Sequence, residues 1–396
     1  MAKTVLLTLG RLPKALALAR LLHRAGHRVV VAEPFRWHLC RVSRAVSKCY
    51  RVTAPNDDLA RYLSELSAII EREHITDVIP VSEEVVHLSA LIPRLPHSVR
   101  WHGPSATQIH TWHDKYQFIG YAQKAQCSVP ETHCVGSEGA QQLANTYHCV
   151  TKPRRGCSGQ GLKFLVPGDT LAADDTETIV QQRVEGQLLS TLSWIRQGRI
   201  VATRVYRGHA FSGTVAIAFE SVTPTPQITE WISRFVDASH FSGFISFDFI
   251  IDDDGTPWGI ECNPRLSSGV HFLEGTQHPR DILEDHVDLE PLDCDSDWRQ
   301  WGYSTLTEAY RHLFTFRFRE FSRHLRILWR ARDVVWHRSD PWPFLLMTPL
   351  SIEILWPAIR FGLSLGEASQ RDIAWLWHQN ESQVAENLTA GGLDEH

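Results

Sequence analysis

The stretch FDFIIDDDGTPWGIECNPR, residues 247–265, admits few folds. Two apolar, aromatic runs flank Asp254-Gly255, a dipeptide suited to a two-residue turn, so the stretch predicts a β-hairpin. With those residues as the turn, Asp253 pairs with Thr256, Asp252 with Pro257, and Asp248 falls opposite Glu261. Opposed residues of antiparallel strands hold their Cβ atoms about 4.5–5.5 Å apart, where like charges repel. A divalent cation removes that conflict. Asn263 projects from the face of Glu261 because side chains repeat every two residues. Two carboxylates and an amide oxygen suit Mg²⁺, which completes its shell with water and substrate phosphates; the same oxygen donors accept Mn²⁺. Arg265, two residues on, offers a planar donor to a phosphate on that metal. Asp252 to Asp254 read as a solvated turn. Cys262, between two metal-facing residues, points to the opposite face as a small buried hydrophobe.

A chain of 396 residues has room for two or three domains. With 43% hydrophobic and 21% charged residues it is ordinary globular material with a large core. The net charge of -5 leaves no footprint for nucleic-acid binding. Only seven lysines occur, at positions 3, 14, 48, 115, 124, 152 and 163, so an ammonium is scarce. Lys115 and Lys152 stand where a nucleotide would need them. The eight cysteines show neither C-x-x-C nor a zinc spacing with histidine, which fits a reducing, cytoplasmic setting. The N-terminus leads into a strand pattern rather than a signal core. No uninterrupted apolar run reaches the length of about 18 residues that a membrane span requires. Trp342 to Leu365 comes nearest, but Glu353, Arg360 and three prolines break it.

Thr4 to Thr8 reads as a buried strand, Lys14 to Arg24 as a helix closed by Gly26, and His27 to Ala32 as a second strand. This is a β-α-β unit of the doubly wound kind. Its first turn, Gly10-Arg11-Leu12-Pro13-Lys14, lacks G-x-G-x-x-G and argues against an NAD enzyme. Asp58 to Glu73 has the apolar spacing of an amphipathic helix. Asp77 to Val81 is another parallel strand, and Glu83-Glu84 opens a helix as a complement to its dipole. A helix is expected over His113 to Gln126. Cys149 to Pro153 forms a strand ending near Lys152, followed by the small-residue loop Gly156-Cys157-Ser158-Gly159-Gln160-Gly161. Glycines let backbone N–H groups approach phosphate oxygens, and the lysine adds a point charge. The loop is not a Walker A motif, and a plain glycine turn between strands is the alternative. Ile179 to Gly186 is a strand and turn; residues 188–206 and 213–222 alternate as sheet. Beyond about residue 290 the composition changes: eight of the 14 tryptophans lie there. Phe314 to Arg338 reads as one long Arg- and aromatic-rich helix. It fits a packed helical cap with a basic outer face, or peripheral contact with a membrane.

The order and spacing of Lys115, Lys152 with its glycine loop, Gln181-Gln182-Arg183-Val184-Glu185-Gly186, and Asp248 with Glu261-Cys262-Asn263-Pro264-Arg265 resemble those of ATP-grasp ligases. The likeness covers residues 1–275. It implies a mixed α/β and α+β chain: an ATP-grasp fold behind an N-terminal doubly wound domain, with a helical C-terminal extension. The implied divisions are 1–104, 105–188, 189–289 and 290–396. By the same resemblance Lys115 and Lys152 contact ATP, and Gly156, Ser158, Gly159 and Gly161 cover its phosphates. Gln181, Gln182, Arg183 and Val184 form the hinge that receives adenine. Asp248, Glu261 and Asn263 bind one or two Mg²⁺, while Arg265 stabilises the transferring γ-phosphoryl group, making Arg265 and Lys152 the catalytic pair. Two departures stand out: Gln182 replaces a frequent Glu, and Gln187-Leu188 lack the usual ribose-binding acid. Thr4 to Pro34 and Ile260 to Arg265 look closest to amide- or imine-forming members. These include the glycine-adding ligase of mycosporine synthesis and carbamoyl-phosphate-synthase-like proteins.

The expected reaction is phosphorylation of an acceptor carboxylate by ATP, then displacement by an amine to give an amide, ADP and phosphate. Phosphoryl transfer needs positioning and charge neutralisation, which suits a site of lysines, arginine and metal. Arg204, Arg207 and His209 on a sheet edge, with Ser267, Ser268 and His271 after Arg265, are candidates for binding the acceptor. Each also has an ordinary structural reading; Ser267-Ser268 could cap a helix. The expected partners are a small-molecule acid and amine, in a homo-oligomer without nucleic acid. Two competing classes are an ATP-binding regulatory protein without turnover and a membrane-surface or partner-binding module centred on the Trp/Arg-rich region.

Overall fold

The computed structural model describes residues 2–156, 161–171, 175–213, 215–237, 239–273, 283, 297–363 and 365–374. The first residues alternate strand and helix: β1 (Thr4–Leu7), α1 (Pro13–Arg24), β2 (Arg28–Glu33), β3 (Lys48–Arg51), α2 (Leu59–Arg72), β4 (Asp77–Ile79), the one-turn α3 (Val85–Leu88) and β5 (Arg100–Trp101). Then come α4 (Ala106–His113), α5 (Lys115–Lys124), β6 (Thr132–Cys134), α6 (Glu138–Thr146), β7 (Cys149–Pro153), β8 (Lys163–Leu165) and β9 (Thr178–Gln182). Longer strands follow, β10 (Gln187–Arg196), β11 (Arg199–Ser212) and β12 (Val215–Val222), then α7 (Pro226–Asp237), β13 (Gly243–Ile251) and β14 (Pro257–Asn263). The remainder holds β15 (Trp298–Gln300), α8 (Gly302–Phe314), α9 (Phe318–Arg330), β16 (Arg332–Asp333), α10 (Trp342–Leu345), α11 (Met347–Leu350), α12 (Ile352–Phe361) and α13 (Leu365–Ala368). Among the described residues no helix is long and apolar enough to cross a membrane.

The chain forms two compact units: one from residues 1–103, 204–223 and 265–375, the other, in its described part, from 104–203 and 224–264. The first unit carries a parallel sheet of order β3-β2-β1-β4-β5, the doubly wound arrangement that the β-α-β pattern predicts. Val5, Leu6, Leu7, Val29, Val30 and Val31 are fully buried, as strands covered on both faces must be. Pro13 opens α1, where its missing N–H costs nothing. Asp58 caps α2 by accepting from the Arg61 N–H, and Tyr62, Leu63, Leu66, Ile69 and Ile70 pack against Leu6, Val30 and Val78. Each such side chain, fully buried, stabilises by about 1.5–3 kcal/mol. In this unit β11 pairs with β12, β12 with β15, and β15 with β16. A cavity of about 830 Å³ opens beyond β2 and β3, lined in part by Phe35, Val52, Glu65, Glu353 and Trp356.

Two expectations in this unit need correction. Glu83 and Glu84 stand at the start of α3, as expected, but they do more than complement its dipole. Glu84 is fully buried and accepts from the Val81 and Ser82 N–H groups and from Thr8 Oγ1, while Glu83 is ion-paired with Arg265. The sequence 314–338 is not one helix either. α8 ends at Phe314, residues 315–317 turn the chain, and α9 runs only to Arg330. Neither glycine nor proline marks that break, so periodicity alone reads through it.

The second unit contains a four-stranded sheet of order β6-β9-β7-β8 and the ladder β14-β13-β10, with the start of β11 beside β10. The helix foreseen over 113–126 is shorter: Asp114 caps α5 by accepting from the Tyr116 and Gln117 N–H groups. Aromatic rings fill this core. Phe235 lies 4.8 Å from Tyr121 and 4.9 Å from Phe247, and Trp231 packs edge-on to Phe249 at 4.9 Å between centroids. These contacts fix the buried face of β13 and turn Asp248 to the other side, since successive strand residues alternate.

Candidate functional site

The hairpin β13–β14 places Asp248 opposite Glu261, as the sequence predicts, but by a different path. The turn has three residues rather than two. Gly255 N–H donates to Asp252 O at 3.0 Å, Asp252 N–H to Thr256 O at 3.3 Å, and Gly255 takes φ +79°. This is a turn closed by a left-handed glycine, a common three-residue hairpin loop. Ile251 therefore pairs with Pro257 and Phe249 with Gly259, one residue short of the expected register. A β-bulge between Asp248 and Phe249 restores it, so that Asp248 faces Glu261, Phe247 faces Cys262 and Ser246 faces Asn263. The two departures cancel at the site. Asp252 is not merely solvated, for its carboxylate accepts from Asp254 N, Thr256 N and Trp258 Nε1 and so organises the turn. Cys262 is buried on the opposite face, as expected.

The bulge residue, Ile260, has no partner opposite it in the ladder. Its carbonyl instead accepts from Lys152 Nζ at 2.9 Å. Lys152 stands near the end of β7, and burial pushes its pKa down to about 8, with Lys115 adding to the effect while Glu261 and Asp248 oppose it. Lys115, at the first position of α5, donates to Gly156 O at 2.7 Å and lies 3.7 Å from Glu261 Oε1. Its own N–H donates to Arg154 O, so main chain and side chain both tie α5 to the start of the glycine loop. Two lysines and two carboxylates thus share one face of this unit.

Ser190, opposite Asp248 on β10, donates to Asp248 Oδ1 at 2.5 Å, and Asn263 Nδ2 reaches Asp248 Oδ2 at a long 3.4 Å. Turning that amide presents its oxygen beside the carboxylates. Among the described residues no three His, Cys, Asp or Glu side chains are grouped to hold a metal. A cation here would take Asp248, Glu261 and the Asn263 amide. Few protein ligands, all of them oxygen, fit Mg²⁺ and its remaining waters and phosphates. They do not fit zinc, which prefers a closed set of nitrogen and sulfur donors.

The remaining expected residues fall in several places. Gly156 has φ +132° and Gly161 φ +71°, backbone that favours glycine, whereas Ser158 and Gly159 lie outside the described residues. Arg154 and Arg155, at the stem of the loop, are both drawn onto buried Asp114, at 2.8 and 3.1 Å. Gln181 and Gln182 end β9; Gln181 is buried and donates to Thr132 Oγ1 at 2.8 Å. Arg183 is exposed, with its guanidinium over the Phe164 ring, and Val184 follows it.

Arg265, Arg207, His209, Ser267 and Ser268 belong to the first unit. Arg265 is paired with Glu83. Arg207 and His209 converge on Glu220, at 2.7 and 2.8 Å, and Trp298 Nε1 donates to the other oxygen of the same carboxylate. His209 stacks on Trp298 with centroids 4.0 Å apart. Ser267 is buried, and its carbonyl accepts from Val270 N–H at the start of a short 3₁₀ turn over Ser268–Leu273. Arg204 donates to Phe272 O, and burial drives the His271 pKa down to about 3. None of these residues lines the 830 Å³ cavity. Sequence reasoning missed Ser190, Glu83 and the Ile260 carbonyl. Only strand register or tertiary contact reveals them.

A family model described as an ATP-grasp domain matches residues 112–269. That segment is an ATP-grasp domain. The ATP-grasp match spans Lys115, Lys152, β9 and the β13–β14 hairpin, and the fold of the chain is mixed α/β around it. Biotin carboxylase from Campylobacter jejuni, solved as a complex with β,γ-ATP, is a structural neighbour at 16% identity and TM-score 0.57, over 71% of this chain and 70% of that one. The biotin carboxylase domain of 2-oxoglutarate carboxylase from Hydrogenobacter thermophilus, a dimer solved with MgADP and bicarbonate, aligns at 14% identity and TM-score 0.58, covering 75% and 73%. An L-amino acid ligase from Bacillus licheniformis aligns at 14% identity and TM-score 0.54, covering 73% and 76%. At these identities the likeness is one of fold. A search of curated proteins found no match.

Proposed function

We propose that this protein is an ATP-dependent carboxylate–amine ligase. One observation carries the reading: Asp248 and Glu261 oppose each other across an antiparallel pair, with Lys115 and Lys152 beside them. Bound Mg²⁺ would neutralise phosphate charge and hold the triphosphate in line for transfer. The chain's own groups do the rest. Lys152 and Lys115 supply point charges to phosphate oxygens, and the backbone around Gly156 and Gly161 covers them. Gln181 to Val184 receive the adenine. Arg265 is proposed to steady the transferring phosphoryl group. An acceptor carboxylate oxygen attacks the γ-phosphorus, ADP leaves, and an amine nitrogen displaces phosphate from the acyl phosphate to form a C–N bond. Neighbours whose names include a biotin carboxylase and an L-amino acid ligase support ATP-driven carboxylate chemistry on this fold. Arg207, His209, Ser267 and Ser268 are proposed for acceptor binding. The four-segment division at 104/105, 188/189 and 289/290, a cytoplasmic location and a homo-oligomeric state belong to the same proposal.

The test is ADP release from Mg-ATP with a panel of organic acids and amino acids. Asp248→Asn and Glu261→Gln should each lower turnover by about a thousandfold, on the order of 4 kcal/mol. Full activity in both variants would overturn the metal assignment. Nucleotide binding without ADP release under every acid and amine pairing would instead favour an ATP-binding regulatory protein.

A further inference from the structure

The helical hairpin α8–α9 presents its apolar side the wrong way for a packed cap. In α9 the residues turned to the core are His324 and Ile327; Ile327 and, just past the helix end, Ala331 pack on Ala210, Ile217 and Ala218. A second apolar stripe, Phe318, Leu325 and Trp329, recurs at helical spacing on another side and faces solvent. Trp329 is 91% exposed. At about 1.5 Å per residue the stripe runs roughly 16 Å along the helix. It continues around the connecting turn, where Phe314 and Phe316 are 77% and 79% exposed.

Phe316 is the decisive residue. α8 ends with Arg317 N–H donating to His312 O at 2.9 Å and Phe316 N–H to Leu313 O at 3.1 Å, the paired bonds of a Schellman cap. The cap needs a left-handed residue, and Phe316 takes φ +57°. Glycine does this without strain, whereas a large side chain does not. The fold therefore carries a strained aromatic at a position where it packs against little. Such an outlier points to function rather than stability.

Charge identifies what the surface meets. Residues 311–330 hold six arginines against a single acid, Glu320. Arg311 is paired with Glu308 and Arg323 with Glu320, and Arg330 stacks over Trp298, but Arg317 and Arg319 are exposed and have no ion-pair partner among the described residues. Exposed Trp and Phe beside arginine, on the connecting turn and one helix stripe, suit the boundary between headgroups and acyl chains. We propose that the α8–α9 hairpin docks this protein on an anionic membrane surface. Phe314, Phe316, Phe318, Leu325 and Trp329 enter the boundary, and Arg317, Arg319 and Arg326 contact lipid phosphates. This docking is independent of the ligase reading, because its residues take no part in nucleotide binding.

Cosedimentation of the full chain with phosphatidylcholine vesicles, with and without phosphatidylserine, tests it. Binding is expected only with phosphatidylserine and should weaken as salt rises, because surface charge is screened. Phe316→Gly is the discriminating variant. It should lower vesicle partitioning about tenfold while raising the melting temperature, since glycine relieves the strained cap. Trp329→Ser should lower partitioning comparably. Failure of the full chain to bind phosphatidylserine vesicles, or parental binding by both variants, overturns the proposal. So does a stable dimer without lipid that Trp329→Ser disperses while vesicle binding is absent, which would assign the stripe to a second copy of the chain.

Discussion

Two buried charge clusters, one in each unit, are built on opposite plans. In the first unit Arg11 is closed in: Nε donates to Glu33 Oε1 at 2.8 Å, and the two terminal nitrogens reach Asp372 at 2.6 and 2.9 Å. Glu33 also accepts from the N–H groups of Gly10, Arg11 and Phe35, and the Phe35 ring lies 3.4 Å from the guanidinium carbon. Burial opposes charge on both partners, yet the pairing prevails: the Arg11 pKa is raised and the Glu33 pKa lowered. In the second unit Lys152 Nζ donates to one carbonyl among the described residues, and Glu261 lies 3.7 Å from Lys115. There burial prevails and the lysine's pKa falls. A buried charge with every valence answered holds a fold together. One whose burial outweighs its pairing marks a candidate ligand site.

The contrast breaks first at Arg11. Arg11→Met should cost about 3–5 kcal/mol of stability by stranding Glu33 and Asp372, read as a large loss in denaturant midpoint. An unfolding curve close to the parental one would show that the closed cluster is not structural. Lys152→Met should do the reverse. Its stability should stay within about 1 kcal/mol of the parent, because an ill-compensated charge has been removed. Nucleotide affinity, followed by calorimetry, should drop about 30-fold, the ~2 kcal/mol of a hydrogen bond to a charged group.

Titration sharpens the same point. The Lys152 pKa, about 8 in the folded chain against an ordinary 10.5, means that the unfolded chain binds more protons between those values. This group therefore makes stability rise with pH across that window. Nucleotide affinity should fall across it as the ammonium is lost. Affinity flat from neutral pH to pH 10 would exclude Lys152 as a phosphate contact. The smallest effect is expected at Ser190→Ala, which removes one hydrogen bond to Asp248. It should weaken the Mg²⁺ dependence of turnover about fivefold, near 1 kcal/mol, and leave thermal unfolding unchanged.

Local chemistry was legible wherever it was local. The alternation in β13 and β14 and the Asp254-Gly255 pair announce the hairpin, and Pro13 and Asp58 mark their helices. The length of the turn was not legible, because Asp-Gly serves two-residue and three-residue loops alike. Only the bulge before Glu261 kept the expected partner of Asp248 correct. Ser190 lies 58 residues from Asp248 and meets it only through the pairing of β10 with β13. Glu83 looked like a helix-start acid because its partner, Arg265, lies 182 positions away. The break at Phe316 was hidden for the converse reason, since its residue type is one that a left-handed position disfavours.

The Lys152–Ile260 contact gives the hairpin a sense of occupancy. Under the proposed function a triphosphate would compete with a peptide oxygen for the same ammonium, and whatever share it took would loosen the backbone one step before Glu261. Nucleotide arrival would then be felt as a small release of that peptide group, readable by isotope-edited infrared as a shift of the Ile260 carbonyl to higher frequency. Filling the site and readjusting one of its own carboxylates would be a single mechanical event.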